Sequence, residues 1–323
     1  MNFYILSDLK IAAGNTAARL IKKFCQRFIN KIKSNFIILM VDGGFGSQLN
    51  KYFIGQFLEK KLGAEVRYDL SWFDKQAISI DEKDTRNFDL LKIFPEIKFP
   101  MASKKEIRKY KKYFYFLNKQ PFVYNEEMMQ KTAPLYVDGY FGHWKYLKDS
   151  GSNIQCKMNL DNPNIKNLDL IKNSINSVAV HIRRGDYINS VHDVLNEEYF
   201  INAIKHIKNI LQLDVKFFIF SNGVDWVKER IIKNLPKNAD YHIFMNNDNS
   251  DGIKDFYLML NCSHQICSNS TFSYFAALLN QNPYKQVIIP ETWMGGGDKT
   301  YKNHSQSFRY PGWIVMNNAG DVQ

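Results

Sequence analysis

The sequence predicts an α/β protein built on doubly wound parallel sheets, on three observations. Short apolar runs of strand length, such as Ser177–Ile182, Val215–Phe220 and Val287–Pro290, are not alternately polar, as expected of strands buried on both faces. Between them lie helix-length stretches whose apolar residues recur every three or four positions. A glycine-rich or charged turn follows the leading strand of each half. With 323 residues, 45% of them hydrophobic, the chain suffices for two domains with sizeable cores and is not a disordered polymer.

The elements follow in order. Phe36–Val41 reads as a strand, Gly43, Gly44 and Gly46 as a tight turn, Asn50 to Leu62 as a helix stopped by Gly63, and Glu65–Leu70 as a second strand. Residues 75 to 165, rich in Lys, Tyr and Phe, are expected to hold several helices. The Asn- and Asp-rich stretch from Asn159 to Asn176, with Pro163, is the expected boundary, giving domains over 36–165 and 166–323 after a basic segment, 1–35. Strand Ser177–Ile182, helix Asn196–Leu211, strand Val215–Phe220 and helix Val224–Leu235 come next. They are followed by strand Tyr241–Phe244, helix Ile253–Cys262, strand Gln265–Ser268, helix Thr271–Asn280 and a closing strand, Val287–Pro290. On such sheets ligands sit at the carboxyl ends of the strands.

The net charge is +11, and residues 1–35 carry seven cations against Asp8 alone. Leu20, Ile21, Phe24, Phe28, Ile29 and Ile32 make one apolar helix face there. A basic amphipathic helix over 8–34 suits an anionic membrane surface, or equally packs on the chain's own body. The basic run Lys104 to Lys112, interleaved with Ile107 and Tyr110, reads as a solvated helix face. No nucleic-acid-binding signature accompanies the positive charge, so no nucleic-acid partner is expected. No apolar run reaches the ~18 residues of a membrane span and no secretory leader is visible. Four cysteines in this length are no disulfide scaffold, which points to a reducing, cytoplasmic compartment.

Three segments carry chemistry. His181-Ile182-Arg183-Arg184-Gly185-Asp186-Tyr187 begins at the end of a buried strand. Two adjacent arginines there need anions, and the guanidinium fork suits phosphate. Asp186 can orient one and leave the other for a ligand; the bland alternative is a surface ion pair. Cys267-Ser268-Asn269-Ser270-Thr271-Phe272-Ser273 ends a strand and opens a helix, where backbone N–H groups and hydroxyls suit an anion or simply cap the helix. Gly43-Gly44-Phe45-Gly46-Ser47-Gln48 permits close approach of a ligand, but Leu49 stands where a dinucleotide loop has its third glycine. No Asp-x-Asp occurs, and Cys262, His264 and Cys267 lack a second ligand pair of zinc-site spacing, so no metal site is expected. A diphosphate would then be met by arginines and helix N-termini.

Together these segments resemble the α-1,2-fucosyltransferases of glycosyltransferase family 11. The family's G-G-L-G-N-Q stands here as G-G-F-G-S-Q, followed by Asp69-Leu70-Ser71-Trp72-Phe73. The hallmark H-x-R-R-G-D-Y is intact at His181 to Tyr187. Leu258-Met259-Leu260-Asn261-Cys262 and Asn269-Ser270-Thr271-Phe272-Ser273-Tyr274-Phe275 form the third block, while Phe220-Ser221-Asn222 and Asp225-Trp226 match F-S-D and D-W with asparagine for the first aspartate. Ser47 replaces the family's asparagine, and Tyr274-Phe275-Ala276 its Trp-Trp-Gly.

The resemblance implies a GT-B-type fold, two Rossmann-like domains facing a cleft. It implies inverting, metal-independent transfer of L-fucose from GDP-β-L-fucose to a hydroxyl, O2 of a galactose, in a glycan or lipid-linked oligosaccharide of a bacterial surface polysaccharide. It assigns Arg183 to the diphosphate as the catalytic charge, and His181 and Asp255 to the guanine. Ser270, Thr271, Phe272 and Ser273 would cradle the phosphates, while Arg184 and Asp186 hold the loop. Gly44 and Gly46 join the donor set; Gln48 and Asp69 are acceptor-side candidates, and Asp42 or Asp69 a candidate base. Another GDP-sugar, or a nucleotide- or membrane-binding protein without turnover, is the competing reading.

Overall fold

A computed structural model describes residues 35–74, 85–150, 165–212, 214–235, 239–245, 252–296 and 299–323. The expected helix over 8–34 lies outside them. The described chain forms two compact units, one of 35–88 and 98–150, the other of 89–97 and 165 onward.

The first unit is built on a four-stranded parallel sheet in the order β2-β1-β4-β3. Its strands are β1 (Ile37–Met40), β2 (Val66–Asp69), β3 (Tyr115–Leu117) and β4 (Leu135–Asp138). Helix α1 (Phe45–Leu62) starts five residues earlier than its periodicity suggests, because the glycine turn feeds straight into it. It ends at Gly63, whose φ of 62° is the left-handed conformation glycine adopts without strain. Midway, Gly55 faces the Tyr68 ring of β2, and a Cβ there would stand 2.1 Å from the phenol oxygen. Helix α2 (Lys104–Tyr113) opens with a reciprocal Ser103–Glu106 capping box and buries Ile107 and Tyr110 against Phe36, Ile38 and Tyr136. The middle of the chain is thus not helical throughout. β3 and β4 complete the sheet, and at three and four residues they are too short to show a period of their own.

The second unit holds a six-stranded, wholly parallel sheet in the order β10-β9-β8-β5-β6-β7. It comprises β5 (Asn176–Ile182), β6 (Val215–Ser221), β7 (Asp240–Met245), β8 (His264–Ile266), β9 (Val287–Pro290) and β10 (Ile314–Met316). Val287–Pro290 is therefore not the last strand: a polar helix, Lys299–Ser307, leads to β10, only three residues long, at the sheet edge. Residues 165–172, within the stretch expected to be a linker, are helical. Val178, Val180 and Ile182 pack on Phe200, Ile204 and Ile207 of a helix, Glu197–Leu211, that Asn196 caps. The chain lays β5, β6 and β7 outward to one side, then returns to add β8, β9 and β10 on the other. The reversal lies between β5 and β8, where an open α/β sheet leaves a crevice at its carboxyl edge.

Candidate functional site

The His181–Tyr187 segment leaves β5 and the Cys267–Ser273 segment leaves β8, so both motifs stand at that reversal. They are bonded to each other. His181 Nδ1 lies 2.8 Å from Ser268 Oγ, and Tyr187 donates to the Asn269 carbonyl at 3.2 Å. Burial, then the Arg183 charge, lowers the His181 pKa to about 3, so its imidazole is neutral. A histidine neutral when folded but titrating near 6.5 when unfolded stabilises the fold fully above about 6.5, and that contribution is lost as pH falls toward 3. Through His181 alone, urea unfolding is expected to show a loss of about 2 kcal/mol between about pH 7 and pH 5. His181→Gln should flatten the profile by that amount; an unchanged slope would rule the assignment out.

The two arginines have different surroundings. Arg183 Nε donates to Asp186 Oδ1 at 2.7 Å, and its guanidinium lies 5.8 Å from the Tyr187 ring centroid. Its side chain stays 27% exposed. Arg184 is tied into the protein: Nη1 donates to Asp193 at 2.8 Å, its backbone N–H donates to Asn222 Oδ1 at 2.8 Å, and its guanidinium sits 4.8 Å over Trp226. Asn222, standing for the family's aspartate, packs so tightly that a Cβ on Gly185 would approach its Nδ2 to 2.3 Å. Asp186 therefore orients Arg183, while Asp193 and Trp226 hold Arg184.

The second segment opens helix α3 (Thr271–Leu279). Ser270 is its N-cap, accepting from the Phe272 N–H at 3.3 Å, so the capping role is real. The positive end of the helix dipole remains at the crevice beside the arginine loop. Ser273 is buried and its hydroxyl donates back to the Ser270 carbonyl. At the far end Lys285 donates to the carbonyls of Ala277, Leu278 and Asn280 at 2.7, 3.3 and 2.7 Å, its pKa lowered to about 8 by burial. Phe272 lies 5.5 Å from the His181 ring and 5.4 Å from Phe256, neighbour of Asp255 on the helix Gly252–Asn261.

The remaining candidates belong to the first unit. Gly44 is the N-cap of α1 and Gly46 lies in its first turn; the glycine that the turn's geometry demands is Gly43, with φ 77°. Gln48 is wholly buried and donates to the carbonyls of Gly43 and Asn87, stitching the loop. Asp69 is wholly buried too. It accepts from the Tyr136 hydroxyl at 2.6 Å and the Ser71 N–H at 2.8 Å, with Lys111 Nζ at 3.1 Å. These partners outweigh burial and lower its pKa, so Asp69 is a packing carboxylate with both oxygens occupied, poorly suited to take a proton from an acceptor. Asp42, 35% exposed and 3.4 Å from the buried Lys51 Nζ, is the more accessible of the two.

Sequence reasoning missed Asn269, Asn222 and Asp193. Asn269 is buried and donates to the carbonyls of both His192 and Trp293 at 2.9 Å, joining three loops. Only its place inside the N-S-T-F-S block hinted at that.

A family model described as glycosyl transferase family 11 matches residues 83–317. An alpha-1,2-colitosyltransferase of Escherichia coli is 26% identical over 279 residues, 80% of this chain and 92% of that protein. The O-antigen biosynthesis glycosyltransferase WbnK of Escherichia coli is 33% identical over 136 residues, 41% of this chain, and the match spans only 43% of WbnK. Among solved structures, the NodZ alpha-1,6-fucosyltransferase co-crystallised with GDP superposes with a TM-score of 0.50 and 12% identity, over 90% of this chain and 98% of that one. At that identity the likeness concerns the fold, and it agrees with two α/β units on parallel sheets.

Proposed function

Because the chain belongs to glycosyl transferase family 11, we propose that it transfers L-fucose from GDP-β-L-fucose, with inversion, to O2 of a galactose in a bacterial surface glycan or its lipid-linked precursor. The observation that carries this reading is the pairing of Arg183, held by Asp186, with the N-terminus of α3 at the sheet reversal. An acceptor oxygen attacks C1 as the bond to the diphosphate breaks, and charge grows on the departing GDP. Arg183 and the α3 N-terminus are preorganised positive groups for that charge, which supports a reaction without a metal. Neutral His181 and Asp255 serve the guanine, Asp255 accepting its N–H groups. The compartment is cytoplasmic, with the basic segment 8–34 in peripheral contact with the inner membrane face; among the described residues no helix is long and apolar enough to cross a membrane.

A second reading changes only the sugar. The relative that spans four-fifths of this chain is named for colitose, which favours a different GDP-sugar in the same site.

The test is GDP release from GDP-fucose, with and without EDTA, across a panel of β-galactosides. EDTA-resistant, acceptor-dependent release is expected. GDP alone is also expected to raise the melting temperature. A GDP-dependent melting shift without turnover of GDP-fucose, but with turnover of GDP-colitose, would move the assignment to the second reading. No shift with GDP would end both.

A further inference from the structure

The outer face of α2 has no part in the reading above, and we propose that it is a docking surface for an anionic lipid bilayer. At 3.6 residues per turn, Lys104, Lys105, Arg108, Lys109 and Lys112 fall within about 140° of the helix circumference, away from the buried Ile107 and Tyr110, while Lys111 turns inward to the buried Asp69. The helix's acid, Glu106, is consumed by Arg67 at 2.6 Å and by the Ser103 cap. Among the described residues no carboxylate pairs with Lys105, Arg108 or Lys109. Lys104 meets Asp74 at 3.6 Å with its side chain 84% exposed, a pairing that water and salt screen. An exposed apolar side chain stands just beyond each end of the helix, Met101 at 62% and Leu117 at 44%.

Charge complementarity selects the occupant. Four of these five cations are lysines, compact charges that suit a diffuse anionic surface, whereas nucleic-acid and phosphate recognition favours the arginine fork. The apolar side of α2 is already spent on its own sheet, so the helix cannot sink among acyl chains. Contact is electrostatic, and salt weakens it.

The test is flotation of the full chain with vesicles of pure phosphatidylcholine or with one-third phosphatidylglycerol, at low and high salt. Wild type should bind the anionic vesicles and release in high salt. Lys105→Gln/Arg108→Gln/Lys109→Gln, with the N-terminal segment intact, should bind about a hundredfold more weakly, since each cation near such a surface contributes about fivefold. Its melting temperature and GDP-induced melting shift should stay as in wild type, and Lys109→Gln alone should give a smaller drop. Undiminished binding by the triple variant would overturn the proposal, as would equal binding of wild type to pure phosphatidylcholine. Duplex DNA bound in preference to anionic vesicles, with the same triple variant reducing it, would assign the face to nucleic acid instead.

Discussion

Arg183→Ala should lower turnover by about 10²–10³ while leaving the melting temperature close to that of the parent. The side chain makes an Nε bond to Asp186 and lies loosely over Tyr187, contacts that are worth little to a partly exposed group. On the proposed reading its value lies in a guanidinium fixed before charge develops on the leaving diphosphate. Arg183→Lys should recover only part of the loss, because an ammonium keeps the charge and loses the fork. Arg184→Ala makes the contrast. It removes the Asp193 bond and the stacking on Trp226, so it should cost about 1–2 kcal/mol of stability and act on turnover chiefly through the loop. Turnover and melting curves of the three variants separate the roles. Near-normal turnover in Arg183→Ala would remove the residue from the chemistry.

The second large effect is structural. Alanine for glycine inside a helix ordinarily gains about 1 kcal/mol. Gly55→Ala should instead cost about 3 kcal/mol or more, because the new methyl would stand 2.1, 2.8 and 3.0 Å from the Oη, Cζ and Cε1 atoms of Tyr68. That ring cannot swing away: it is buried in β2 and stacked at 3.8 Å on Phe99. In Gly55→Ala/Tyr68→Phe the worst contact disappears with the hydroxyl, and part of the loss should return as a non-additive coupling between the two sites. Urea unfolding of the four proteins measures it. Additive costs would show that α1 and β2 adjust independently.

Much of this architecture was legible in the residues. The central strands β5 and β6 are unbroken apolar runs with helix-periodic segments after them; the strand-end position of Arg183 follows once β5 is assigned, and that of Ser270 once β8 is. β3 and β4 escaped because they lie in the Lys-, Tyr- and Phe-rich middle of the chain, where no apolar run stands out, and β10 because it follows a polar helix at the sheet edge. The division of labour between Arg183 and Arg184 escaped in part. Asp186 is three residues from Arg183 and visible locally, whereas Asp193, Asn222 and Trp226 reach Arg184 through the fold. Asp69 was misleading for a related reason. A carboxylate at a strand end looks available in a sequence, and only the fold brings Tyr136 and Lys111 onto its oxygens.

The reversal between β5 and β8 also governs when the candidate site comes into being. His181 and Ser268, which bond across it, are 87 residues apart in the chain. At ordinary translation speeds that interval takes roughly 4–17 s. Once β6 has been made, β5 can pair with it on one side while its other edge offers unpaired backbone groups to any passing strand. The nascent protein is therefore most exposed to misassociation just before the crevice between β5 and β8 is complete, and, on the proposed reading, added GDP can rescue only chains that have already passed that point.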